Sequence, residues 1–383
     1  MRILTTTEIL APTGGIEVST FQGSDALARR GHHVDVLYGA EGPQRAEYER
    51  AGPALHGPFS FGFDPRHPLA PLRGFWSAAK LVRRLRPDVL WLHRPEHIIW
   101  AQFVARFARV PIACHLHHAP NYRLTRLLMT GVPAYIAVSE FTRQTWIAKG
   151  VRAERIAVVH NAIPSDAYPA GGDPERQAAR VELGLGAAEP VTLYYGRITK
   201  EKGVLTLIEA WRRFDQGTLL LVGSPSPLDD PILRDALATL EPGSWRWYPG
   251  QSEVIRFLHA ADLVVVPSWW EEPFGRVVIE AMSTGRPVIG TRTGGIPEIL
   301  HGPMSRFLVD PRDADGLVER IRSTIGWRTN EPTLGTECRE WVDEHFSFGA
   351  YVDQIEGWLE RVGRTPRGAP GPRGARGPDA YGA

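Results

Sequence analysis

The chain has 383 residues, of which 43% are hydrophobic and 23% charged, with a formal net charge of +1; that apolar share can offset chain entropy, so general disorder is excluded and two domains of ordinary size are expected. Cys114 and Cys338 are the only cysteines, which excludes a disulfide framework or a cysteine zinc cluster. No apolar run reaches the roughly 18 residues of a membrane span, and Met1-Arg2-Ile3-Leu4-Thr5 lacks the basic and apolar regions of a signal peptide, so a cytoplasmic location is expected.

In chain order, strands are predicted at 2–6, 34–37, 88–93, 112–117 and 135–138, with amphipathic helices at 19–30, 76–84 and 98–108 between them. The pattern then restarts. Strands are predicted at 191–195, 218–222, 245–248, 263–266, 288–291 and 307–309, and helices at 205–213, 252–260 and 277–283. Strand–helix alternation predicts an α/β fold with parallel sheets covered on both faces, in two doubly wound domains. The boundary is sought in 164–189, where Pro164, Pro169, Gly171, Gly172 and Pro174 signal a loop. This reading gives domains at 1–165 and 166–345. A last ordered segment, 337–361, carries Trp341, Phe346, Phe348, Tyr351 and Trp358. Residues 363–383 are a Gly/Pro/Arg tail with Gly368, Gly371, Gly374 and Gly377 at every third position, too short a repeat for a triple helix and expected to be disordered.

Charge is uneven. Residues 1–165 hold 20 Lys+Arg against 12 Asp+Glu, a balance of +8; the rest hold 24 against 31, a balance of −7. The first half therefore suits an anionic partner or surface, or simply carries scattered solvated arginines. Lysine occurs only at 80, 149, 200 and 202.

In open parallel sheets, ligands sit beyond the carboxyl ends of the strands. Gly14-Gly15 follows the first strand and offers close backbone approach, or is a plain tight turn; the absence of Gly-x-Gly-x-x-Gly argues against a nicotinamide enzyme. His115, His117 and His118 end another strand, with His93 and His97 as conceivable further metal ligands. No carboxylate stands at metal spacing, so a cleft-lining or core role is favoured over metal. After strand 191–195, Arg197 and Lys202 can place two cations around one phosphate.

Pro267 to Arg276 then leads into a helix, with Glu272 on the loop and Glu280 inside the helix. The Gly275 turn offers amides and a positive dipole to an anion. The carboxylates would accept bonds from sugar hydroxyls, so a sugar nucleotide satisfies both; a glycosidase acid/base pair is the other reading. Thr293-Gly294-Gly295-Ile296-Pro297-Glu298 adds a second close-approach glycine pair. Asp229-Asp230 reads as solvated loop.

At these residues the sequence resembles the retaining glycosyltransferases of family four, which have the GT-B fold. The matching pieces are Gly14-Gly15-Ile16-Glu17, Leu27 to His32, Pro111 to His117, Val138 to Arg143 and Val159 to Ile163. In the second half they are Gly196-Arg197 to Gly203, Glu272 with Glu280, and Gly294 to Glu298. The resemblance implies two Rossmann-like domains facing a central cleft, with 346–362 packing back on the first domain. It implies that Arg197 and Lys202 hold the donor diphosphate and that Glu280 binds the ribose. Glu272, with amides of Phe274, Gly275, Arg276 and Val277, would face the transferred sugar. His117 would contact the sugar or the reacting centre, and Gly14 and Gly15 would border the diphosphate.

The implied reaction moves a sugar from a nucleoside diphosphate sugar to a hydroxyl of a small metabolite, glycan or lipid, with configuration retained. It calls for no metal, cofactor or nucleic acid. A sugar-nucleotide epimerase and a noncatalytic donor-binding subunit are the alternatives. Peripheral membrane contact through Trp76, Lys80, Arg83, Arg84 and Arg86 is weighed for the basic first half. Two stretches depart from the family pattern: Asn161-Ala162-Ile163-Pro164 lacks the turn glycine, and Gly223-Ser224-Pro225-Ser226-Pro227 alters the segment near the nucleotide base.

Overall fold

The computed structural model describes residues 1–120, 125–214, 216–250 and 253–364. The chain divides into two compact units, Met1–Asn161 with the segment from Gly349 on, and Ala162–Phe348.

The first unit holds a seven-stranded parallel sheet. Its strands are β1 (Arg2–Ile9), β2 (His33–Ala40), β3 (Ala54–His56), β4 (Val89–Leu92), β5 (Ile112–Leu116), β6 (Ala134–Ala137) and β7 (Ile156–Val158), in the order β3-β2-β1-β4-β5-β6-β7. Period-two alternation splits the side chains of β4 and β5 between two faces. Leu90, Leu92, Ile112, Cys114 and Leu116 join Phe75, Val82 and Val104 of helices Leu72–Leu85 and Ile98–Ala108 in one apolar core. The opposite face carries Trp91, His93 and His115. Helix Gly15–Arg29 comes so close there that a Cβ on Gly23 would stand 2.7 Å from the Trp91 ring.

The second unit holds six parallel strands. These are β8 (Val191–Tyr195), β9 (Thr218–Val222), β10 (Trp245–Tyr248), β11 (Leu263–Val266), β12 (Val288–Thr291) and β13 (Leu308–Val309), in the order β10-β9-β8-β11-β12-β13. Leu219, Leu221, Leu263, Val265 and Ile289 form its core with Trp211, Leu317 and Ile321.

The strand order reverses between β1 and β4 in the first unit and between β8 and β11 in the second. Doubly wound sheets bind ligands at such points.

The linker reading needs correction. The units part at Asn161/Ala162, and helix Asp173–Glu182 occupies the middle of the stretch expected to be loop. Its Arg180 is 1% exposed and explains the order. The guanidinium donates to Asp262 Oδ2 at 2.7 Å and to the carbonyls of Glu189 and Ala260 at 2.7 and 3.0 Å, fastening the helix beneath β8 and β11. Prolines and glycines marked the ends of that helix rather than a continuous loop.

The expected last segment is two helices, Leu334–His345 and Phe348–Gly363, which fall in different units. Glu356 ties the second to the first unit, accepting from Arg30 Nη1 and bonding His32 Nε2, each at 2.6 Å. The Gly/Pro/Arg tail lies outside the described residues from 365 on. Sequence reading also passed over β3 and β7. Both are three-residue edge strands, too short for a period.

Candidate active site

In the second unit, two loops emerge at the switch point, 196–203 after β8 and 267–276 after β11. Gly203 lies at φ +74° with its Cα so close to the Pro267 carbonyl that a Cβ would stand 1.7 Å from the oxygen. The amides of Trp269 and Trp270 both donate to Glu201 O, at 2.8 and 2.9 Å, and Trp269 Nε1 donates to Thr206 Oγ1 at 2.8 Å. This stitching brings Lys202 onto Glu272 in an ion pair, and Ser268 Oγ donates to the same carboxylate oxygen at 2.6 Å. The two residues expected to face phosphate and sugar separately are thus partners of one another. Arg197 is exposed, and its guanidinium holds no hydrogen bond or ion pair among the described residues.

Glu280 sits in helix Arg276–Ser283, which starts at Gly275 (φ +102°). The Tyr195 hydroxyl donates to Glu280 Oε2 at 3.0 Å, and Arg276 Nε approaches Oε1 at 3.3 Å. Tyr168 also bonds this carboxylate. Burial, reinforced by the Glu280 charge, pushes the Tyr195 hydroxyl well above its ordinary pKa and keeps it a donor. Phe274 is buried against Phe346, ring centroids 5.7 Å apart, and so anchors the loop. Val277 accepts from the Tyr195 hydroxyl through its carbonyl at 3.2 Å.

The Gly294-Gly295 pair makes the close approach expected of it, and the group approached is the Glu272 backbone. A Cβ on Gly294 (φ +58°) would meet Glu272 O at 2.1 Å, and Gly295 N donates to that oxygen at 2.7 Å. These glycines let one loop cradle the Glu272 backbone. Asp230 caps helix Pro231–Leu237, accepting from Ile232 N at 2.9 Å.

In the first unit, Gly14 is the N-cap of helix Gly15–Arg29. Arg94, just past β4, pairs with the buried Glu17 and approaches Glu8 of β1 at 3.3 Å, bridging the switch point. His117 follows β5 and meets His93 Nδ1 through Nε2 at 3.0 Å. Burial pushes His93 well below its ordinary pKa and His115 down to about 3, so both rings are neutral. His97, which burial also lowers, stacks on Phe61 instead.

Sequence reasoning missed Tyr195, Tyr168, Ser268 and Arg94. Tyr195 stands at the head of the singled-out stretch Tyr194 to Gly203, but no role was given to it. Ser268 lies inside the singled-out stretch Pro267 to Arg276 without a role of its own, and Tyr168 and Arg94 carry no local signal.

Two doubly wound sheets, with cations, carboxylates and a helix start gathered at the switch point of the second, make this a GT-B protein. A family profile described as "Glycosyl transferases group 1" matches residues 175–330, and one described as "Glycosyltransferase Family 4" matches residues 13–167. Both halves being matched in this way, the chain belongs to the family-four glycosyltransferases.

Among curated relatives, a D-inositol 3-phosphate glycosyltransferase of Mycobacterium sp. (strain KMS) is 33% identical over 45% of this chain and 39% of its own. An alpha-maltose-1-phosphate synthase of Mycolicibacterium smegmatis is 28% identical over 60% and 63%. The chain spans about two fifths of the length of the first of these. The crystal structure of Anabaena Alr3699/HepE with UDP and glucose superposes with a TM-score of 0.81 at 24% identity, over 94% of this chain and 99% of that one, a likeness of fold.

Proposed function

We propose that this chain is a retaining glycosyltransferase that moves a sugar from a nucleoside diphosphate sugar to an acceptor hydroxyl. The observation that carries the reading is the pairing of Lys202 with Glu272 beside Glu280, which Tyr195 and Arg276 already orient. Anabaena Alr3699/HepE has been solved with UDP-glucose, and the Mycolicibacterium smegmatis relative is an alpha-maltose-1-phosphate synthase, both consistent with such a donor.

Breaking the sugar–phosphate bond leaves negative charge on the diphosphate. Arg197, Lys202 and the amides that open helix Arg276–Ser283 are the groups able to stabilise it. A diphosphate entering there draws Lys202 from Glu272, which frees that carboxylate for sugar hydroxyls. Glu280, held by Tyr195, Arg276 and Tyr168, takes the ribose hydroxyls. These cations make the transfer independent of a metal cofactor. No protein nucleophile is assigned; the departing phosphate oxygen takes the acceptor proton.

The acceptor belongs to the first unit, where Gly14, Gly15 and His117 stand at the carboxyl ends of the strands. On helix Leu72–Leu85, Trp76 is 43% exposed between Arg73, Lys80 and Arg84. This surface supports peripheral contact with anionic lipid.

The test is a thermal-shift screen of UDP-, GDP-, dTDP- and ADP-sugars followed by product analysis. One donor should raise the melting point and yield glycosylated acceptor of unchanged anomeric configuration. Conversion of donor without acceptor would instead indicate an epimerase. Flotation with anionic vesicles tests the lipid contact, and an R73A/K80A/R84A variant should lose it.

A further inference from the structure

The first unit contains a cluster of three histidines of which the transfer reaction, as proposed above, uses His117 alone. His93, just past β4, and His115 in β5 lie on the same face of adjacent strands, in register one step beyond the Leu92–Cys114 pair, and His117 follows two residues on. Their relative exposures are 0%, 0% and 8%. One ring nitrogen from each lies within 4.8 Å of the others. His93 Nε2 and both nitrogens of His115 are buried with no hydrogen-bond partner.

Three unsatisfied buried ring nitrogens are costly, because each loses its water without gaining a partner. Core histidines in a merely structural role would be bonded to backbone or carboxylate. These rings instead converge on one another, and His115 and His117 stand 4.1 Å apart between ring centroids.

The geometry points to a divalent transition-metal site made by His93, His115 and His117. A tetrahedral zinc with about 2.0–2.1 Å bonds to nitrogen needs donors about 3.3 Å apart, so the rings must close by up to about 1.5 Å. That movement is of the size side-chain rotation supplies. Three imidazoles and one open position suit zinc, cobalt, nickel or copper. They do not suit magnesium or calcium, which require oxygen ligands. With no carboxylate among the ligands, the ion keeps its full charge, and an anion or hydroxide in the fourth position offsets it. Trp91, whose ring centroid is 4.2 Å from that of His93, walls the site. Capture of a metal would hold the His117 ring in place, so the site bears on the transfer through that ring.

The experiment uses the full chain, stripped with EDTA and titrated with Zn²⁺, Co²⁺ or Mg²⁺. Calorimetry should show one Zn²⁺ per chain and no Mg²⁺ binding. Co²⁺ should develop the visible bands of a four-coordinate, nitrogen-rich site. His93→Asn and His115→Asn should each weaken Zn²⁺ binding by at least about 100-fold. They should also abolish the rise in melting temperature that Zn²⁺ causes in the parent chain. Zn²⁺ affinity unchanged in both variants would overturn the site. So would the absence of Co²⁺ bands in the parent chain at stoichiometric metal, a reading that depends on no variant folding.

Discussion

Lys202 and Glu272, 70 residues apart, form an ion pair whose side chains are 19% and 12% exposed. The pair exists because Gly203 lets its loop press onto Pro267, and because two tryptophan amides close on Glu201. Each member compensates the charge of the other. In the proposed reaction a diphosphate competes for the lysine, so one event neutralises the ligand and uncovers a carboxylate.

Lys202→Ala should lower kcat by about 10²–10³-fold, the range for removing one preorganised charge-stabilising group. Glu272 keeps the Ser268 hydroxyl as a donor at 2.6 Å when the lysine is lost, so the variant should stay folded. Steady-state kinetics beside a thermal melt separates these effects. Normal turnover in a folded variant would remove Lys202 from the reaction.

Glu280 predicts a different signature. Glu280→Ala removes an acceptor that Tyr195 and Arg276 hold in place, and should weaken donor binding by at least about tenfold, as expected for hydrogen bonds to a charged group. Tyr195→Phe keeps the carboxylate and loses one orienting bond, a change of about 0.5–1.5 kcal/mol. Calorimetry with the nucleoside diphosphate alone should rank parent, Tyr195→Phe and Glu280→Ala in falling affinity. Equal affinities for all three would end the ribose assignment.

The loop architecture is tested through Gly203. Alanine there must adopt φ +74° and place its Cβ 1.7 Å from a backbone oxygen. Strain and overpacking together should destabilise the second unit by about 3 kcal/mol or more. Urea denaturation measures it. Donor affinity should fall as well, since the loops that carry Lys202 and Glu272 can no longer meet. A stable, donor-binding Gly203→Ala would show that the close approach is dispensable.

The fold was legible because buried parallel strands read as short apolar runs, and β8 to β12 fall where those runs do. Helix Asp173–Glu182 was not, since its order comes from Arg180 reaching Asp262, 82 residues away. The site was legible as residue types at strand ends. Lys202 and Glu272 could each be singled out from local spacing, yet nothing local says that they meet. Gly294 and Gly295 were legible only in part for the same reason: a glycine pair announces close approach, but only the fold shows that the approaching group is the Glu272 backbone. Tyr195 was hidden because a tyrosine ending a strand looks like any β-former.

A buried carboxylate in the first unit gives a pH prediction independent of catalysis. Asp35 of β2 is fully buried and joins three strands at once, accepting from Arg2 Nε of β1 at 2.7 Å and bonding His56 Nε2 of β3 at 2.8 Å. Burial opposes its charge, but the bonds from Arg2 and His56 outweigh that and hold its pKa below the ordinary carboxylate value. A depressed carboxylate binds fewer protons folded than unfolded. Its stabilisation is therefore present above about pH 3.9 and is lost as pH falls through the lower folded value. Asp35→Asn removes the charge and leaves one accepting oxygen where Arg2 and His56 used two, and should cost about 1–3 kcal/mol at pH 7, the usual range for a lost hydrogen bond to a charged group. The same variant should lose part of the parent's decline in stability below pH 4. Denaturant melts from pH 7 to pH 3 check both halves. A parallel decline in parent and variant would mean that Asp35 titrates in the folded chain as it does in the unfolded one.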